Sequence, residues 1–213
     1  KEAVENQKVL PFEVQELSMI IDSEGPFTDL ALGERHSCAL NESGKIYCWG
    51  ADPTPINPWV HGSPEYNLVP ELQDINLASP VKHIFASAFY TCALTQSNEL
   101  SCWGQNLNGE LDEASLASPL EDVADFSAGN SHACAVKTNG NLDCWGHNGS
   151  GQIGVGNNAF VRKPLTQIIS SGSVESVGAG YGSTCSIDAG RLQCWGWNRN
   201  GTLGDGYSET SIP

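Results

Sequence analysis

The 213-residue sequence carries 25 acidic against 10 basic side chains, a net charge of −15, with 39% hydrophobic residues and 23 glycines. That balance excludes a nucleic-acid binder, which needs clustered Lys and Arg to neutralise phosphates, and it disfavours docking on an anionic membrane surface. No stretch reaches the ~20 apolar residues of a spanning helix, and no charged-then-apolar leader opens the chain, so Lys1 reads as the start of a mature or partial chain.

Residues 1–25 form an acidic extension with Glu2, Glu5, Glu13, Glu16, Asp22 and Glu24. An alternating segment (Val9, Phe12, Val14, Leu17) is placed to pack on a neighbouring element. From residue 26 onward the chain is a repeat. Each unit opens with a strand, at Phe27–Leu32, Val81–Ala86, Val123–Ala128 and Val174–Ala179. A hairpin follows, and each hairpin closes on Cys-Trp-Gly, beginning at Cys48, Cys102, Cys144 and Cys194. In the first hairpin, Asn41-Glu42-Ser43-Gly44 is the turn; in the third, Thr138-Asn139-Gly140-Asn141 contains the strong Asn-Gly turn signal. The tripeptides recur at intervals of 54, 42 and 50 residues, the period of β-propeller blades. The units span approximately 26–80, 81–122, 123–173 and 174–213. The fold class is all-β, a propeller with four blades in view.

All eight cysteines sit at one place in the hairpins, as Cys38/Cys48, Cys92/Cys102, Cys134/Cys144 and Cys185/Cys194. Equal distance from the turn puts each pair opposite across two antiparallel strands, where Cα atoms lie about 4.5–5.5 Å apart. The fourth turn is one residue shorter, and its cysteine spacing shrinks by one to match. Cys-x₉-Cys is not a zinc knuckle, so four disulfides are expected. Each closes a loop of roughly 11 residues, stabilising by about 2.8 kcal/mol on the chain-entropy model. Disulfides place the protein in an oxidising setting: secreted, periplasmic or at the cell surface.

These residues resemble the regulator of chromosome condensation repeat, G-x-x-H-[ST]-C-A-L … C-W-G-x-N-x-x-G-Q-[LI]-G-x-G, and its Cys-bearing extracellular branch. The third unit matches from Ala128 through Gly156, and the fourth through Gly196, Asn198, Gly201, Leu203, Gly204 and Gly206. The resemblance covers Pro26 to Pro213. It implies a seven-bladed ring of which four blades are seen here, or a closed four-bladed ring. The first unit departs from the pattern: Ala51 to Pro70 is a Pro-rich loop carrying Trp59 in place of the short Gly-rich one.

Neither a nucleophile elbow, a zincin motif nor a phosphate loop occurs, and no Asp-x-Asp-x-Asp calcium pattern. The sequence therefore implies no catalytic set, no metal site and no cofactor. Its variable positions lie just before each first cysteine: Glu34, Arg35 and His36, Phe89 and Tyr90, Asn130 and His132, and Tyr181. In a propeller such loops gather on one face and form a binding surface; Trp59 and Trp197, outside the repeated tryptophans, join them. Trp49, Trp103, Trp145 and Trp195 are expected to pack between blades. Asn41, Asn148 and Asn200 are candidate glycosylation sequons. The expectation is a non-catalytic extracellular scaffold for a protein partner, self-assembly included. The alternatives are a secreted enzyme inhibitor similar to the β-lactamase inhibitory proteins, or a glycan- or calcium-binding lectin-like module.

Overall fold

Each repeat begins as a disulfide-stapled hairpin and grows outward into a sheet. In this computed structural model, residues 25–51, 66–72, 77, 79–104, 106, 109, 111, 119–159 and 162–208 are described. The first blade comprises β1 (Phe27–Leu32), β2 (His36–Asn41), β3 (Ile46–Ala51) and β4 (Tyr66–Leu72). The second comprises β5 (Val81–Ala86), β6 (Tyr90–Thr95) and β7 (Leu100–Gly104). The third holds β8 (Val123–Ala128), β9 (His132–Lys137), β10 (Leu142–His147) and β11 (Arg162–Ile169). The fourth holds β12 (Val174–Ala179), β13 (Ser183–Asp188) and β14 (Arg191–Gly196). Within every sheet consecutive strands are neighbours and pair antiparallel. Among the described residues, the second blade adds a bridge between Leu100 and Leu120 beyond its three strands.

All four disulfides form between directly opposed residues, with Cα atoms 4.0–4.1 Å apart. The opening strands are those read from the sequence. The outer strands β4 and β11 were not read from it. Both carry a proline, Pro70 and Pro164, which is tolerated only where a strand edge needs no donor. Part of the expected Pro-rich loop, from Tyr66 to Pro70, is therefore strand β4. Residues 52–65, with Trp59, lie outside the described residues, as do residues 1–24 with the alternating segment.

The glycine of Cys-Trp-Gly has a steric cause. Gly50, Gly104, Gly146 and Gly196 have φ between +98° and +120°. A Cβ there would lie 2.4–2.8 Å from the carbonyl oxygens of Arg35, Phe89, Ser131 and Gly182. Only glycine lets the third strand of each blade approach the loop that precedes its second strand. That contact fixes the loops that carry the candidate surface.

Between blades the core is apolar and follows one rule. Ile84 and Trp103 of the second blade pack on Leu40, Ile46 and the Cys38–Cys48 bridge of the first. Phe126 and Trp145 of the third pack on Leu94, Leu100 and the Cys92–Cys102 bridge of the second. Trp195, with Val177 at its margin, packs on Val136, Leu142 and the Cys134–Cys144 bridge of the third. Each such aliphatic or aromatic side chain removed from water stabilises by about 1.5–3 kcal/mol. The array is thus held by contacts between successive repeats.

Candidate interaction surface

The loops between the first and second strands of all four blades meet around one cleft of about 310 Å³. Its wall takes the same three positions from each blade: Leu32, Gly33 and Glu34; Ala86, Ser87 and Ala88; Ala128, Gly129 and Asn130; Ala179, Gly180 and Tyr181. The expected gathering of equivalent loops is what the backbone produces. The predicted residues divide into two groups around it.

One group is at the surface. Glu34 and Arg35 are exposed, and the Arg35 guanidinium lies 5.7 Å from the centre of the half-buried Phe89 ring, joining the first two blades by a cation–π contact. Tyr181 is 71% exposed, and its ring meets Trp197 at 5.6 Å. Asn130 is half-buried, and its backbone N–H donates to the Gly180 carbonyl at 3.2 Å. Leu32, 65% exposed, joins the rim; sequence reasoning missed it because an alternating strand gives no sign that its last outward residue borders a cleft.

The other group is buried, which corrects its expected place at a partner surface. His36 is 4% exposed, Tyr90 1% and His132 0%. Each reaches from one blade to the next. His36 Nε2 lies 2.7 Å from Thr91 Oγ1. The Tyr90 hydroxyl donates to the Gly129 carbonyl at 3.2 Å and the His132 carbonyl at 3.1 Å. His132 Nε2 lies 2.9 Å from Thr184 Oγ1, and that hydroxyl donates to the Gln152 carbonyl at 2.7 Å. With its proton so committed, Thr184 accepts, and His132 must carry its hydrogen on Nε2. Its Nδ1 is buried without a partner among the described residues. Burial, and secondarily the charge of His147, pushes the His132 pKa down to about 4; burial lowers that of His36 as well. Gly33 and Gly129 leave room for the rings, since a Cβ at either would sit 2.6 and 2.4 Å from the imidazole Cε1.

The sequons are corrected in the same way. Asn148 is fully buried: its Oδ1 accepts from Ile153 N at 3.0 Å and its Nδ2 donates to the Asn157 carbonyl at 2.9 Å. Asn198 and Asn106 repeat the first bond to Leu203 and Leu111, so this asparagine closes the Gly-rich loop. Asn41, 1% exposed, accepts from the N–H groups of Ser43 and Lys45 and closes its hairpin turn. Asn200 alone of the three is exposed, at φ +77° in a turn. Among the described residues no group of three His, Cys, Asp or Glu is placed to hold a metal, and no helix is long and apolar enough to cross a membrane.

A family model for the Regulator of chromosome condensation (RCC1) repeat matches residues 27–52, 81–110 and 123–152. The blades are RCC1-like, and the first three match the repeat itself. No curated protein matches the chain by sequence. Among solved structures, the RCC1-like chain superposes on yeast RCC1 (Prp20), seen bound to Kap60, with a TM-score of 0.72 and 22% identity over 89% of this chain and 48% of that one. Human WBSCR16 gives a TM-score of 0.72 and 20% identity over 89% of this chain and 52% of that one. The ectodomain of the Physcomitrella patens receptor kinase CR4 gives a TM-score of 0.55 and 23% identity over 84% and 43%. The chain spans about half the length of these structures. Four RCC1-like blades, all β and all disulfide-stapled, are the architecture.

Proposed function

We propose that these RCC1-type blades form a non-catalytic scaffold of an extracellular or cell-surface protein, and that a protein partner sits on the rim made by Glu34, Arg35, Phe89, Asn130, Tyr181 and Trp197. The observation that carries this reading is the convergence of four equivalent loops with different side chains around one cleft. Aromatic and Arg side chains on a rigid frame are common binding anchors, because they bring large contact area at small entropy cost. The rim is rigid for a stated reason: each loop is clamped by its Cys-Trp-Gly glycine, and those of the first three blades also by a buried hydrogen bond to the next blade. Four disulfides support an oxidising compartment. The similar fold of a receptor kinase ectodomain supports the extracellular setting, and that of yeast RCC1, seen bound to Kap60, supports a protein partner.

The test compares three proteins as affinity baits: the unmodified chain, the rim variant R35A/F89A/Y181A, and T138A on a hairpin turn at the opposite end of the blade. A partner held by the rim is kept by the first and third and loses about tenfold or more in affinity for the second. Binding within twofold of the unmodified chain in the rim variant overturns the assignment. An enzyme inhibitor is one form of the same scaffold, and a panel of secreted hydrolases in the same assay identifies it.

A further inference from the structure

The cleft inside the rim has a chemistry of its own. The second lining position of each blade is small (Gly33, Ser87, Gly129 and Gly180), which leaves about 310 Å³ open. The third position differs from blade to blade, as Glu34, Ala88, Asn130 and Tyr181. Among the described residues Glu34 is the one charged side chain in the lining, and it is exposed. The neighbouring cation is directed elsewhere, since the Arg35 guanidinium lies over the Phe89 ring at 5.7 Å. The two imidazoles beneath the loops add no positive charge at neutral pH. Burial lowers the pKa of His36 and, with the charge of His147, brings that of His132 to about 4. On the fourth blade the exposed Tyr181 stands against Trp197, with ring centres 5.6 Å apart. Ring faces of this kind attract cations through their quadrupole. The chain as a whole carries −15, so its field draws cations toward the cleft and repels anions.

We propose that the cleft receives a cationic side chain, lysine or arginine, from an extended segment of the protein partner. This rests on the rim assignment above and names what the partner presents there. The occupant's methylene stem lies against the walls made by Ala86, Ala88 and Ala128, and its charged head meets Glu34 and the Tyr181 ring. An anionic side chain is excluded by charge. An apolar one would leave Glu34 without a partner. The same three positions of every blade line the cleft, so it belongs to the inner loops and not to the outward faces of the first and fourth blades. The interaction weakens as salt rises, because Glu34 is exposed and the attraction is screened.

The experiment titrates the full, disulfide-intact chain with blocked Gly/Ser hexapeptides that carry lysine, arginine, norleucine or glutamate at the centre. The readout is the backbone amide resonances of Gly33, Ala88, Gly129 and Gly180. The lysine or the arginine peptide is expected to shift them and to bind about fivefold or more tighter than the norleucine peptide. E34Q should weaken that binding by roughly threefold. A88Y should abolish it by filling the cleft, and it should fold, because Tyr181 occupies the equivalent position in the fourth blade. Equal binding of norleucine, preference for glutamate, no shift with any peptide at about 10 mM, or binding unchanged in A88Y overturns the proposal. The two variants also enter the bait comparison. A partner lost by R35A/F89A/Y181A but held within twofold by E34Q and A88Y leaves the rim assignment standing and overturns this one. Cationic peptide binding with the expected variant effects, beside a rim variant that keeps its partner, supports the cationic cleft and overturns only the rim.

Discussion

His132 makes the blade contacts sensitive to acid, and the size of the effect follows from its surroundings. Its Nε2–H is committed to Thr184, whose own proton goes to the Gln152 carbonyl. A second proton could enter only at Nδ1, which is buried and unpartnered among the described residues. The folded chain therefore resists protonation down to about pH 4, against 6.5 for an ordinary histidine. Above pH 6.5 both folded and unfolded chains are neutral here, and the site contributes no pH dependence. Between 6.5 and about 4 the unfolded chain gains a proton that the folded chain refuses, so stability falls with pH. Below about 4 both are protonated and the loss is complete. The gap corresponds to about 3 kcal/mol. Denaturant unfolding of the disulfide-intact chain and of H132Q, each from neutral pH to pH 4, measures it. Gln keeps an N–H donor and cannot titrate, so the unmodified chain should lose about 3 kcal/mol relative to H132Q over that interval. His36, lowered in the same direction by burial, is present in both proteins and cancels. A difference between the two proteins that stays constant with pH would refute the placement of His132.

Three further outcomes follow from burial. Expressed in a host that glycosylates Asn-x-Ser/Thr, the folded protein should carry a glycan at Asn200 and none at Asn148 or Asn41, by peptide mapping. N148A should cost about 1–3 kcal/mol through its two lost buried bonds, while N200A should be near neutral. Mild reductant followed by alkylation and mass mapping should open Cys185–Cys194 first, because only that bridge is half-buried. Among the bridges of the first three blades, C134A/C144A should lower stability by about 2–4 kcal/mol; a change below about 0.5 kcal/mol would contradict the entropic reasoning behind that figure.

The repeat made most of this architecture readable. Four hairpins with cysteines at matched distances from the turn fix antiparallel register, and register fixes which residues face the next blade. The strands opening each blade were legible for the same reason. The outer strands were not: Pro70 and Pro164 break the pattern, and an edge strand needs only one hydrogen-bonded side. The position occupied by His36, Tyr90, His132 and Ser183 was misread. Its variability suggested a surface, yet in the first three blades it is buried. His36 and His132 meet the equivalent threonine of the next blade, Thr91 and Thr184, whereas the Tyr90 hydroxyl donates to the Gly129 and His132 carbonyls. Variation at a contact between repeats is matched across that contact, and a single unit read alone does not show its partner. A signal was present: Gly33-x-x-His36 and Gly129-x-x-His132 against Ser87-x-x-Tyr90, a small residue changing together with the ring it accommodates.

The buried bonds and the exposed rim are parts of one device. Ser87 Oγ donates to the Gly129 carbonyl, the Tyr90 hydroxyl to the same oxygen, and the Ala179 N–H to Ser127 Oγ at 2.8 Å. These groups lie directly beneath the cleft lined by Ser87, Ala88, Gly129, Asn130 and Tyr181. A rim side chain can therefore change with little effect on the fold, because its loop is held from below by the neighbouring blade. The reverse does not hold. Y90F removes the donor for two carbonyls that hold the adjacent loop, so it should loosen Asn130 while leaving every exposed rim side chain chemically intact. Loss of partner affinity in Y90F without loss of blade structure would separate positioning from contact, since the Tyr90 ring is 1% exposed and cannot touch a partner directly.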